Sequence, residues 1–172
     1  MKELEYPFDS KFILQNYRKI KKRLLGEADG FIEKRIAILG GSTTANIKSC
    51  IELFLLNYGI KPVFYESEYN QYYEDAVFSN PKLEKFEPEI VYIHTTNRNI
   101  MTFPLLSDSP NTVEGFIRNQ YQKFFNVWQN ISKRFCCPII QNNFEMPLYR
   151  LMGNKDASDI HGGGKFSDSP ES

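Results

Sequence analysis

Ser42 follows two glycines, Gly40 and Gly41, at the end of the apolar run Ile36–Leu39, and Thr43 and Thr44 then open a segment of helical period. A strand that turns through glycine into a hydroxyl-rich helix start is a common way to build an α/β active site. Glycine lets the backbone turn sharply and approach a ligand closely. The first helical turn offers unbonded N–H groups and the positive end of the helix dipole, which suit an anion or a developing oxyanion. Ser42 is therefore the candidate nucleophile, with the Gly41 turn at its oxyanion. The alternative is that Ser42 or Thr43 is simply the N-cap of the helix. The motif is neither a GxSxG nucleophile elbow nor a Walker phosphate loop.

Other polar groups offer partners for such chemistry. Asn97 follows Thr95-Thr96, and its amide is a candidate oxyanion donor or a loop cap. Asn70 lies in the run Glu66-Ser67-Glu68-Tyr69-Asn70 and is a second candidate for substrate binding. The chain has two histidines, so His94 and His161 are the candidate acid/base residues. His94 closes an apolar strand pattern, where a structural histidine is the competing reading, and His161 lies in a polar tail. Glu66, Glu68 and Asp159 are carboxylates that solvated loop residues would equally explain.

These residues need a scaffold at one edge. Strand patterns run over Lys34–Leu39, Lys61–Tyr65, Ile90–His94 and Cys136–Gln141. Helical patterns run over Ser10–Leu25, through Ile47, Cys50, Ile51, Phe54, Leu55 and Tyr58 up to Gly59, over Tyr69–Phe78, and over Thr112–Arg134, with a turn at Pro81–Phe86. Pro138 falls inside the last strand pattern, which favours a strand start or an edge. Strands alternating with helices predict a mainly parallel sheet between two helical layers, a three-layer α/β/α fold. Sites in such folds lie beyond the carboxyl ends of the strands. Those ends carry Gly40-Gly41-Ser42, Glu66-Ser67-Glu68, His94-Thr95-Thr96-Asn97 and Gln141-Asn142-Asn143. Ser42, Asn97 and at least one of Glu66, Asn70 or Asn142 should therefore converge.

The chain has 172 residues, 41% hydrophobic and 24% charged, with no net charge. That supports one globular domain over residues 1–154 and gives no bulk signal for nucleic acid or an anionic membrane. From Lys155 to Ser172 the composition is that of a polar tail, expected to be disordered or truncated. The three cysteines, Cys50, Cys136 and Cys137, have no metal-ligand spacing, so no metal or other cofactor is expected. No signal-peptide pattern or membrane-length apolar run is present, and the expected location is cytoplasmic.

A glycine-serine block after the first strand and an asparagine after the third resemble the SGNH (GDSL-like) hydrolases, whose fold is flavodoxin-like. Gly41 stands where that family has aspartate, and Asn97 alone remains of its Gly-x-Asn-Asp block. Near Glu68-Tyr69-Asn70 its second-block glycine has no clear counterpart, and Ser158-Asp159-Ile160-His161 lacks the aspartate of its Asp-x-x-His block. A serine without its base is a weak nucleophile. A narrower resemblance spans about Tyr6 to His161. The stretches YPFDSKFIL, KRIAILGGSTT, LFLLNYGIKPVFYESEYNQYYED, FEPEIVYIHTTNRNI and IIQNNFEMP are similar to the N-terminal domain of FkbH-like proteins, subfamily IIIC of the HAD superfamily. There an SGNH-like domain precedes a HAD domain that loads a glyceryl unit derived from a phosphoglycerate onto an acyl carrier protein, or acts in related polyketide or cell-envelope pathways. The Asp-x-Asp-x-Thr loop of the HAD domain is absent here, as is the fifth strand of an SGNH sheet. The resemblance implies two classes of function. One is acyl or glyceryl transfer, or ester hydrolysis, through Ser42. The other is a non-catalytic docking module for an acyl carrier protein or a partner HAD domain.

Overall fold

The computed structural model describes residues 1–27, 30–145 and 152–163. Four parallel strands form one sheet: β1 (Ile32–Gly40), β2 (Ile60–Glu66), β3 (Ile90–His94) and β4 (Ile139–Gln141), in the order β2-β1-β3-β4. The helices are α1 (Ser10–Gln15), α2 (Tyr17–Glu27), α3 (Ala45–Asn57), α4 (Tyr72–Val77), α5 (Pro81–Phe86) and α6 (Pro110–Phe135). The architecture is the expected three-layer α/β/α sandwich. β1 alternates across it. Ala37 and Leu39 pack with Tyr72, Ala76, Leu83, Val91, Ile93, Phe124, Val127 and Ile131 on the α4–α6 side. Ile36 and Ile38, buried as fully, have the opposite pleat. A second cluster joins Ile13, Ile20, Leu24, Leu53 and Leu56 of α1, α2 and α3.

Besides shifts of one to three residues at other element ends, three departures from the sequence reading bear on the fold. The helix expected over Ser10–Leu25 is interrupted at Asn16, whose side-chain amide donates to the Phe12 carbonyl and offers the backbone a local alternative to the helix. The last strand begins only at Ile139, because Cys136 takes a left-handed conformation (φ 47°) and Pro138 lacks an N–H for a ladder. The segment expected to be a polar tail is structured in part. A 3₁₀ helix spans Gly153–Ala157, Asp156 is buried, and His161 reaches back to Asp108; residues 164–172 lie outside the described residues.

α6 does more than cover the sheet. The Trp128 indole N–H donates to Gln141 Oε1 at 2.6 Å, which sets the last third of the helix beside the end of β4. With 26 residues α6 is about 39 Å long, whereas the five-residue β3 covers about 17 Å. The first half of α6 therefore projects past the carboxyl edge, where Val113, Phe116 and Ile117 pack on Ile100 of the preceding loop.

Candidate functional site

Asn99 is the centre of the carboxyl edge. It ends the short 3₁₀ turn Asn97–Asn99, which Thr96 caps by accepting from the Arg98 N–H. Its Oδ1 accepts the Thr96 N–H at 2.9 Å and completes a capping box. Its Nδ2 donates to the Gly41 carbonyl at 2.9 Å and to Asn70 Oδ1 at 3.1 Å. Asn70 itself sits at φ 60°, a conformation that glycine adopts freely and that asparagine tolerates better than most residues. Gly41 is required by contact: a Cβ there would fall 2.5 Å from the Asn99 amide. One amide thus ties the ends of β1 and β3 to the loop after β2.

Asn142 makes the equivalent tie across β4. Its Nδ2 donates to the Thr95 carbonyl at 2.7 Å, and its Oδ1 accepts the Thr95 N–H at 3.1 Å, so a side-chain amide continues the β3–β4 ladder after β4 has ended. Thr95 is fully buried, and the arrangement leaves neither of its backbone groups unpaired. The first strand is held in the same way: the Gly40 N–H donates to Ser67 Oγ at 2.8 Å and the Gly41 N–H to the His94 carbonyl at 2.7 Å.

Glu66 serves the start of α3. The Thr44 hydroxyl donates to Oε1, and the Lys48 ammonium sits 2.6 Å from Oε2. Burial pushes the Glu66 carboxyl up, but the hydrogen bonds from Lys48 and Thr44 outweigh it and hold the group below the ordinary carboxylate range. Glu66 is therefore a bound carboxylate rather than a base. Ser42 is half-buried, and neither its hydroxyl nor its N–H has a partner among the described residues.

Neither imidazole makes a hydrogen bond to Ser42 among the described residues. His94 is buried, and its Nδ1 lies 3.1 Å from Asn142 Oδ1. That oxygen can only accept, so the contact calls for a proton on Nδ1. His161 contacts an acceptor at each nitrogen: the Asp159 carboxylate at 2.8 Å from Nδ1 and the Asp108 carbonyl at 2.9 Å from Nε2. The bond to the Asp108 carbonyl and the Asp159 carboxylate hold its pKa above the ordinary histidine range. Each ring nitrogen is taken up by a contact of its own, and neither bonds Ser42 among the described residues.

The structure brings together Gly41, Ser42 and Asn70, with His94 at the end of β3 and Asn142 just past β4 beside them. The Asn97 side chain makes no hydrogen bond there among the described residues, and its N–H donates to Glu145 Oε2 at 3.1 Å. The amide that reaches the Gly41 turn belongs to Asn99. Its signal in the sequence is the spacing Thr96-x-x-Asn99, a capping-box pattern, whereas the pleat of β3 says nothing about which of two asparagines a following turn aims inward. The described residues contain no cluster of three His, Cys, Asp or Glu side chains arranged to hold a metal ion. Among them no helix is long and apolar enough to cross a membrane.

No protein-family model matches the sequence, and no curated protein matches it. Among solved structures, the chain is similar to the crystal structure of the N-terminal part of the protein BF1531 from Bacteroides fragilis, described as containing a phosphatase domain complexed with Mg. The TM-score is 0.64 at 12% sequence identity, and the similarity covers 88% of this chain and 39% of that one. The two share the α/β fold; the phosphatase domain and its metal are properties of BF1531.

Proposed function

We propose that this chain is the front α/β domain of an FkbH-like protein, and that its carboxyl edge binds an acyl or glyceryl group, or the carrier arm that presents it, without cleaving it. Two independent lines support the family reading. The sequence stretches from YPFDSKFIL to IIQNNFEMP resemble that family, and the fold is similar to the N-terminal part of a protein whose structure also contains a phosphatase domain.

The observation that favours binding over cleavage is the state of Asn99. Both hydrogens of its amide are engaged, one by the Gly41 carbonyl and one by Asn70, so neither points at a developing oxyanion. The Gly41 N–H is likewise bound to the His94 carbonyl. What remains is the Ser42 N–H and hydroxyl at the start of α3, a pair that can hold a ligand oxygen. The test is an amide-shift titration of the isotope-labelled chain with acetyl-pantetheine and with glycerate, alongside an assay on p-nitrophenyl acetate. Shifts confined to Gly41, Ser42, Asn70 and Asn99, with the same ester turnover in wild type and Ser42→Ala, are the expected result. Brisk hydrolysis that disappears in Ser42→Ala would replace binding with serine catalysis.

A further inference from the structure

The opposite, amino edge of the sheet carries a cleft of about 770 Å³ lined by the start of β1, the end of α5 and the joint between α6 and β4. Cys136 and Cys137 form that joint. Cys136 is exposed and caps α6 in a left-handed conformation, its N–H donating to the Ser132 carbonyl at 3.2 Å. Cys137 is half-buried and packs on the main core. The two thiols are therefore neighbours in sequence that both line the cleft but are unequal in access. Burial pushes the Cys137 thiol up, and the exposed Cys136 is the thiol that an incoming disulfide reaches first.

The charges of the cleft suggest what it receives. Lys34 pairs with Glu89 at 2.8 Å and Arg134 with Glu84 at 3.6 Å. Arg35 gives its Nε–H to the Glu87 carbonyl and, like Lys34, its charge helps to lower the Glu89 carboxyl, while the Glu87 carboxylate makes no ion pair among the described residues. Charges of both signs beside a thiol match a small zwitterionic peptide better than a simple anion. We propose that Cys136 and Cys137 are a thiol–disulfide exchange site for a low-molecular-weight peptide disulfide of the glutathione type.

The Cys136 thiolate attacks one sulfur of the disulfide, forming a mixed disulfide and releasing one glutathione thiolate, which takes up the proton that Cys136 gave up. The Cys137 thiolate then attacks the Cys136 sulfur and expels the second glutathione, which takes up the Cys137 proton. The protein loses two hydrogens, and one disulfide becomes two thiols. Neighbouring Cα atoms lie about 3.8 Å apart, closer than the roughly 4.4 Å lower limit of ordinary disulfides. Closing the ring must therefore reshape the left-handed turn at Cys136, and excess thiol should reverse it.

The experiment is a time course of the full chain with glutathione disulfide, read by intact mass and peptide mapping, with Cys50 as the internal control. The expected course is one glutathionyl group on Cys136, its loss together with two hydrogens, and full recovery with dithiothreitol. Cys137→Ser should stop at the mixed disulfide, and Cys136→Ser should slow thiolation of the pair by roughly tenfold. Earlier modification of Cys50, a wild-type mixed disulfide that never collapses, or an interchain disulfide would each overturn the assignment, and the wild-type readings do so whether or not the variants fold.

Discussion

The two edges of the same sheet are built from different chemistry. At the carboxyl edge the strand ends are joined to one another by neutral amides and hydroxyls: Asn99 to Gly41 and Asn70, Asn142 to Thr95, Ser67 to Gly40; the Lys48–Glu66 ion pair there ties β2 to α3 rather than strand to strand. At the amino edge the joining groups are exposed or half-exposed ions, such as Lys34 with Glu89. Neutral amides hold a fixed geometry because each donor and acceptor has one place to go and little solvent competes. Exposed ion pairs are screened and exchange partners freely. The bonds that join the strands therefore give the carboxyl edge a defined shape, whereas the amino edge tolerates rearrangement.

Four measurements break or sharpen this contrast. The largest effect should come from Asn142→Ala, which strands the N–H and C=O of the fully buried Thr95. A loss of about 3 kcal/mol in denaturant unfolding is expected, since a buried unpaired polar group costs roughly 1–3 kcal/mol. A loss no larger than that of a surface substitution would mean that the amide bracket is decorative.

Next comes Gly41→Ala, where the new methyl meets the Asn99 amide. Overpacking of this kind should cost about 2 kcal/mol. Asn99→Ala removes the obstacle, so the double variant should be less destabilised than the sum of the two singles. Strict additivity would show that the Gly41 requirement has another source.

Lys34→Ala tests the amino edge. Breaking its partly exposed pair with Glu89 should shift stability by about 0.5 kcal/mol, and less at high salt. An effect comparable with that of Asn142→Ala would erase the contrast between the edges.

The smallest effect concerns the tether of His161 to Asp108. The Asp108 carbonyl and Asp159 raise the His161 pKa, so its contribution is present at low pH and is lost as pH rises through that raised value. Asp159 is held below its ordinary value by the His161 N–H and ring, so its contribution is lost as pH falls through that depressed value. The tether is therefore expected to be tightest between the two. Amide exchange around Asp108 should be slowest in that window, and Asp159→Asn should lower the His161 titration midpoint. An unchanged midpoint would show that the Asp108 carbonyl alone sets it.

Much of the fold is legible in the chain itself. The apolar runs Ile36–Leu39 and Ile90–Ile93 and the 3.6-residue period of α6 follow from local periodicity, and alternating strands and helices require a parallel sheet. The parallel arrangement in turn puts the glycines, Asn70 and Asn142 at one edge. Tertiary structure alone decided how that edge is wired. Whether Asn97 or Asn99 faces Gly41 depends on a single 3₁₀ turn pinned by Thr96. Whether His161 is a base depends on a carbonyl 53 residues away in sequence. Hydrogen bonds of that reach leave no periodic trace in the sequence, because they fix direction and partner without changing which residues are apolar.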